Sequence, residues 1–106
     1  MAYTTRKFYE TNPRPAKAVV GAIDEASGFI ARDRRAAARI YRELATVKAS
    51  EEELLRILDD PDSRYSIVPD GVMTYAEFMH RAGTIRTKPV SWKELFIPEL
   101  HERPGS

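Results

Sequence analysis

The sequence predicts a mainly α-helical protein of four or five helices, with at most one residual strand near the N-terminus. Apolar residues recur at spacings of three and four along several segments, as on one face of a helix. Residues that cap helices stand before these segments, and Pro or Gly stands after them. The length of 106 residues suits one domain, so residues 1–106 are predicted to form a single helical domain.

The first predicted helix begins at Asn12, an N-cap residue followed by Pro13, where a missing backbone N–H costs nothing. A stripe of apolar residues follows at helical spacing and is predicted to face the core: Val19, Ile23, Ala26 and Ile30. The preceding segment, "AYTTRKFY", is rich in Tyr, Thr and Phe, which favour β structure. Residues 3–8 are therefore the strand candidate.

The next two helices carry clear start signals. Asp33 begins the second helix, whose predicted apolar face consists of Ala37, Ile40, Tyr41, Leu44 and Val47. Ser50 and Glu53 begin the third as a capping box, in which each side chain accepts a hydrogen bond from the other residue's backbone N–H. Pro61 marks its end.

The C-terminal part contains the last two predicted helices. The segment "DGVMTYAEFMHRAG" has helical spacing and ends at Gly83, a residue that readily takes the left-handed conformation that closes helices. Ser91 and Glu94 form a second capping box before a short fifth helix that Pro98 ends. Spacings of four place the apolar residues Trp92, Phe96 and Leu100 on one predicted helix face.

The chain offers little for catalysis or metal binding. It has no Cys, which excludes disulfides, thiolate metal sites and thiol nucleophiles. Its two histidines, His80 and His101, have no activating partner at a recognisable spacing. The sequence therefore predicts no enzyme, no metal site and no cofactor.

Charge is unevenly distributed along the helices. Five arginines and one aspartate lie in residues 32–42: Arg32, Asp33, Arg34, Arg35, Arg39 and Arg42. Six carboxylates and one arginine lie in residues 51–62. A basic helix alone indicates a nucleic-acid binder. Because an acidic helix follows at once, we expect the two fields to neutralise one another through weak cross-helix ion pairs.

No apolar run long enough for a signal peptide or membrane anchor occurs in the first residues, "MAYTTRKFYETNPRP". We expect no membrane insertion and, for a protein made as written, a cytoplasmic location.

Three segments of the sequence resemble the C-terminal part of known transport proteins: "GVMTYAEFMHRAGTI", "KPVSWKELFIPE" and the upstream "RRAAARIY". The similarity covers nearly the whole chain. The family is the substrate-binding proteins of ABC transporters for nitrate, sulfonates and taurine.

This resemblance implies the C-terminal part of a type II periplasmic-binding-protein fold, in which two α/β lobes enclose a ligand cleft. It implies a periplasmic location, and the missing lobes and a membrane permease as partners. Compared with this family, the sequence is expected to lack most of the sheet, the complete second lobe and the export signal. It is therefore expected not to bind a solute alone; Thr4 and Thr5 are weak candidates for ligand contacts.

If the covering lobes are missing, apolar side chains that pack on them become an interface. The residues predicted for this interface are Tyr3, Phe8, Trp92, Phe96 and Leu100. Self-association is the expected consequence, because monomers rarely leave large apolar patches in water. Two alternatives remain open: a free-standing helical interaction module, and a small nucleic-acid-binding protein.

Overall fold

The computed structural model describes residues 2–106 and is built from helices. Five α-helices lie in this part of the chain, followed by two short 3-10 turns. The helices are α1 (Arg6–Thr11), α2 (Pro13–Arg32), α3 (Arg34–Ala45), α4 (Glu51–Asp59) and α5 (Val72–Arg81). Within residues 2–106 no strand occurs, and the mainly α prediction is confirmed.

The chain divides into two compact units, Met1–Ser66 and Ile67–Ser106, called here the N-terminal and the C-terminal unit. The N-terminal unit contains α1 to α4, and its closest helix packing is between α3 and α4. Its buried apolar side chains are Ala38 of α3 and Leu54 of α4. The C-terminal unit contains α5 and both 3-10 turns, with Ala76 and Trp92 buried.

The strand candidate at residues 3–8 does not form a strand, because residues 6–11 form α1, and this agrees with the prediction of at most one strand. Thr5 is its N-cap, and its side-chain oxygen accepts a hydrogen bond from the backbone N–H of Phe8 at 3.1 Å. β propensity depends on neighbouring strands to pack against, whereas an N-cap bond forms locally. With no partner strand among the described residues, the helical signal prevails.

Asn12 separates α1 from α2, as the helix start predicted at this residue requires. Its side chain, however, makes no cap bond to α2. The amide nitrogen donates instead to the carbonyl oxygen of Phe8 at 3.1 Å and to the hydroxyl of Thr11 at 2.9 Å. Asn12 therefore closes α1, and Pro13 opens α2 without a side-chain cap.

The start signals of α3 and α4 are confirmed. The Asp33 carboxylate accepts a hydrogen bond from the backbone N–H of Ala36 at 2.9 Å. The Ser50 hydroxyl accepts from the backbone N–H of Glu53 at 3.2 Å, and the Glu53 carboxylate accepts from the backbone N–H of Ser50 at 2.8 Å. The Glu53 carboxylate also accepts a hydrogen bond from the Ser50 hydroxyl at 2.9 Å, and the two bonds that it accepts from Ser50 hold the pKa of Glu53 below its ordinary value.

The end of α5 is also as predicted. Gly83 has a φ of 74°, in the left-handed region. The backbone N–H of Gly83 donates to the carbonyl of His80 at 3.0 Å, and that of Thr84 donates to the carbonyl of Met79 at 2.9 Å. These bonds satisfy carbonyl groups that the helix end leaves without partners.

The predicted fifth helix is not an α-helix but two 3-10 turns, Trp92–Leu95 and Pro98–Leu100. Between them Phe96 and Ile97 are extended, with ψ values of 153° and 150°. A residue before proline is pushed out of the helical region, which explains the break at Ile97. The predicted common helix face of Trp92, Phe96 and Leu100 therefore does not form.

Candidate interaction surface

The apolar side chains of helix α2 are not buried by the rest of the N-terminal unit. None of its 20 residues is buried. Val19 and Ile23, in the stripe predicted to face a core, are 53% and 38% exposed. A helix with an apolar stripe normally gains its stability by packing that stripe on another element.

Helix α3 has the same property. Ile40, Tyr41 and Leu44, from its predicted apolar face, are all exposed, and Leu44 is 80% exposed. The name α2–α3 surface is used below for these uncovered apolar side chains: Val19, Ile23, Ile40, Tyr41 and Leu44.

The total surface area shows how much remains uncovered. The chain exposes 8582 Å². Two separate compact globules with the lengths of the two units would together expose about 7,200 Å² by the scaling law for folded monomers. The excess is about 1,400 Å², larger than the roughly 800 Å² that each partner buries in a standard protein interface.

A shallow cleft of about 360 Å³ lies on the N-terminal unit. It is lined by five residues of α2 and one of α3: Ala22, Glu25, Ala26, Phe29, Arg32 and Ile40. Its surface is mainly apolar, with one carboxylate and one guanidinium. We call it the α2 cleft.

The two charged residues of the α2 cleft lack partners. Among the described residues, neither Glu25 nor Arg32 forms an ion pair or a side-chain hydrogen bond. The Arg32 guanidinium lies over Gly28, where one of its nitrogens is 3.3 Å from the position a Cβ would take. The missing side chain of Gly28 thus leaves space for Arg32 along the helix.

The basic segment of α3 is partly neutralised, as the sequence predicts. Arg34 pairs with Asp59 of α4 at 2.7 Å, and Arg35 pairs with Glu51 at 3.1 Å. Both pairs are solvent-accessible, so each contributes little to stability. They also draw two of the arginines toward α4 carboxylates and away from any phosphate backbone.

Trp92 is the centre of packing in the C-terminal unit, with only 8% of its surface exposed. The rings of Phe96 and His101 meet it edge-on, each with its centroid 6.0 Å away. Gly105 lies directly against the indole, since a Cβ there would come within 2.5 Å of the ring. The dense apolar segment at residues 92–100 thus contributes to a small core of its own unit.

Hydrogen bonds of Ser106 attach the last residues of the chain, including Gly105 against Trp92, to the start of α5. The main-chain oxygen of Ser106 accepts hydrogen bonds from the backbone N–H groups of Val72 at 2.7 Å and Met73 at 3.3 Å, at the start of α5. Its own N–H donates to the carbonyl of Pro69 at 3.0 Å. These bonds take the place of a side-chain cap, which α5 lacks.

The five residues predicted for the interface lie in different surroundings. Tyr3 is 94% exposed and Phe8 about half exposed, both in the N-terminal unit. Trp92 is buried, and Phe96 and Leu100 are partly buried, all in the C-terminal unit. Two of the five predicted interface residues therefore lie in the N-terminal unit and three in the C-terminal unit. The most exposed of the five is Tyr3.

Thr4 and Thr5, the weak candidates for ligand contacts, lie at the start of α1. Thr5 is occupied as the N-cap, and both residues are exposed. The α2 cleft is lined by neither of them.

The histidines have distinct positions. His80 is exposed in the last turn of α5. His101 places its Nε2 atom 3.0 Å from the carbonyl oxygens of both Lys93 and Phe96. Carbonyl oxygens only accept, so this nitrogen carries a proton and donates. Over residues 2–106, no group of three or more His, Cys, Asp or Glu side chains is arranged to hold a metal ion.

Glu25 and Phe29 of the α2 cleft were missed by the sequence analysis. Their spacing of four places them on one helix face, but the apolar stripe chosen from periodicity begins at Val19 and passes beside them.

No helix in the described part of the chain has the length and apolar character needed to cross a membrane.

The comparisons with known proteins give no relative: no protein-family model, curated protein or solved structure matches the chain. The resemblance to substrate-binding proteins stays a prediction.

Proposed function

We propose that the chain is the C-terminal helical portion of a solute-binding component of an ABC transporter for nitrate, sulfonates, taurine or a related small solute. In this proposal the α2–α3 surface packs on the α/β lobes that enclose the solute. The chain positions and stabilises those lobes and performs no chemistry itself.

The uncovered α2–α3 surface is the observation that carries this proposal. A 20-residue helix without a single buried residue is expected where a further layer of structure covers it. The chain as a whole exposes about 1,400 Å² more than two compact globules of these lengths would. The phrases "GVMTYAEFMHRAGTI" and "KPVSWKELFIPE" supply the family to which the covering lobes are assigned.

The test begins with the reading frame that encodes the chain and its upstream neighbour. We expect an export signal and strand-rich lobes to be encoded there. The longer protein, prepared together with this chain, should bind nitrate, taurine or an alkanesulfonate in a calorimetric titration, while the isolated chain should bind none. Absence of such an encoded region, or a longer protein that binds none of the three, would contradict the proposal.

A pair of variants tests the packing directly. Leu44→Asp should lower the melting temperature of the longer protein, because a charge would be buried under a lobe, and should leave the isolated chain unchanged, where Leu44 is 80% exposed. Val90→Asp is the matched control, since Val90 is 88% exposed on the C-terminal unit and outside the α2–α3 surface. Equal effects of both variants on the longer protein would argue against a lobe at α3.

A self-associating helical module is the second candidate. The specific observation in its favour is that the α2 cleft carries one unpaired charge of each sign. Such a cleft suits a second copy of itself better than a neutral apolar partner, because a neutral partner would leave both charges unsatisfied.

A further inference from the structure

The α2 cleft has its two charges at a spacing that suits pairing with an identical cleft. Glu25 and Arg32 both line it and are seven residues apart, which is two helical turns or about 10.5 Å along α2. Between them the cleft is lined by Ala26 and Phe29. The two charged residues therefore begin at the two ends of an apolar strip, and the Arg32 guanidinium folds back along it over Gly28.

A two-fold axis through this strip would satisfy both charges at once. If two copies of α2 run antiparallel, with the axis passing near Gly28 and Phe29, position 25 of each copy lies opposite position 32 of the other. The Arg32 side chain then pairs with Glu25 of the other copy by swinging away from Gly28. Interfaces of this kind are isologous, so one favourable contact occurs twice. A parallel arrangement would instead place like charges opposite each other.

The side chains of the cleft permit close approach of two helices. Ala22 and Ala26 are small, and Phe29 supplies the large apolar contact.

We infer that the isolated chain forms a two-fold symmetric dimer through the α2 cleft, with α2 antiparallel to its copy and Glu25 of each chain paired with Arg32 of the other. The inference concerns the chain by itself. It stands or fails separately from the proposal that lobes of a longer protein cover the α2–α3 surface.

Charge reversal tests this arrangement in sedimentation equilibrium over the micromolar range. Glu25→Arg alone, and Arg32→Glu alone, each place two like-charge pairs across the axis, and each should raise the dimer dissociation constant about tenfold or more. An equimolar mixture of the two variants should restore dimers, because one chain then carries two positive and the other two negative charges. Glu10→Arg makes the same charge change as Glu25→Arg on α1, outside the cleft, and should leave the dissociation constant unchanged.

A crosslink provides a second reading that does not depend on the stability of the charge variants. Because the chain has no Cys, a single introduced thiol reports without background. Ala26→Cys, a small change inside the cleft, should form a covalent dimer under mild oxidation. Val90→Cys, in the other unit, should not.

Three results would overturn the inference. A wild-type chain that is monomeric at all accessible concentrations would leave the cleft to another occupant. A mixture that stays as dissociated as the single variants would exclude the antiparallel pairing. Equal crosslinking at positions 26 and 90 would indicate random collision. Circular dichroism checks that each variant keeps the helical content of the wild type.

Discussion

Replacing Gly105 with Ala should destabilise the C-terminal unit. A Cβ at this position would lie 2.5, 2.6 and 2.8 Å from three atoms of the Trp92 ring. Ordinary van der Waals contact requires about 3.5 Å or more, so the ring and the segment must separate by nearly 1 Å. Trp92 has little room to move, because it is buried and has Phe96 and His101 at its edges.

The cost follows from what must give way. Overpacking of a filled core costs about 1–3 kcal/mol. Moving the segment instead would disturb the bonds of the neighbouring Ser106 to Pro69 and to Val72 at the start of α5. We therefore expect Gly105→Ala to lower the free energy of unfolding of this unit by about 1–3 kcal/mol.

Urea unfolding followed by tryptophan fluorescence measures this change selectively. Trp92 is the only Trp in the chain and lies in the C-terminal unit. The transition midpoint should fall, with an unchanged slope. Gly21→Ala is the matched control: it is inside α2, and apart from the adjacent residues and the backbone of its own helix nothing lies within 4 Å of its new Cβ. That change should stabilise α2 by about 0.5–1 kcal/mol and leave the Trp92 transition where it was.

An unchanged Trp92 midpoint in Gly105→Ala would refute the reasoning, because it would show that residue 105 does not lie against the ring in solution. A fall of the Trp92 midpoint in Gly21→Ala as large as that in Gly105→Ala would refute it as well, since the effect would then not depend on contact with the indole.

Three further predictions concern the helix caps and the solute. Asp33→Ala removes the hydrogen bond to Ala36 and should destabilise α3 by about 1 kcal/mol, measured by thermal unfolding in circular dichroism. The pKa of Glu53 is lowered in the folded chain by hydrogen bonds from Ser50. Its stabilisation is therefore complete above the pKa of the unfolded chain and is lost as the pH falls through the folded-state pKa; Glu53→Gln should reduce this acid-side loss of helicity in a pH titration. Calorimetric titration of the isolated chain with nitrate, taurine or alkanesulfonates should show no binding, and micromolar affinity would contradict that expectation.

The helix starts that the sequence predicts correctly depend on bonds between residues three positions apart. Asp33 needs only the N–H of Ala36, and Ser50 and Glu53 need only each other. Hydrogen bonds between residues three positions apart do not depend on the rest of the fold, so these helix starts can be predicted without knowledge of the tertiary structure. The same holds for Gly83 at the end of α5.

The errors occur where the outcome depends on more distant residues. Residues 3–8 have β propensity but no strand to pair with among the described residues, and Thr5 caps a helix instead. The spacing of Trp92, Phe96 and Leu100 suggests a helix face, yet Pro98 forces Ile97 into an extended conformation. The role of Gly105 against Trp92 has no sequence signal at all, because it arises only when the last segment folds back.

The α2 cleft could not be predicted for a related reason. Periodicity identifies the most apolar stripe of a helix, but not which stripe a neighbouring helix leaves open. Ile40 of α3 completes a cleft whose other residues come from α2, and that requires the angle between two helices. Glu25 and Arg32 look like ordinary surface charges in the sequence, and only their common cleft distinguishes them.

The balance between local and tertiary stabilisation explains why a covering partner matters to this chain. Its buried apolar residues among the described positions are Ala38, Leu54, Pro69, Ala76 and Trp92. Only Leu54 and Trp92 among them carry large side chains, whereas caps and helix-end bonds are present at most helix boundaries. Caps contribute about 1 kcal/mol each and cannot replace the burial of apolar area, which is the main driving force of folding. A second copy at the α2 cleft, or lobes of a longer protein on the α2–α3 surface, would therefore also stabilise these helices, because a partner that binds only the folded state shifts the folding equilibrium toward that state.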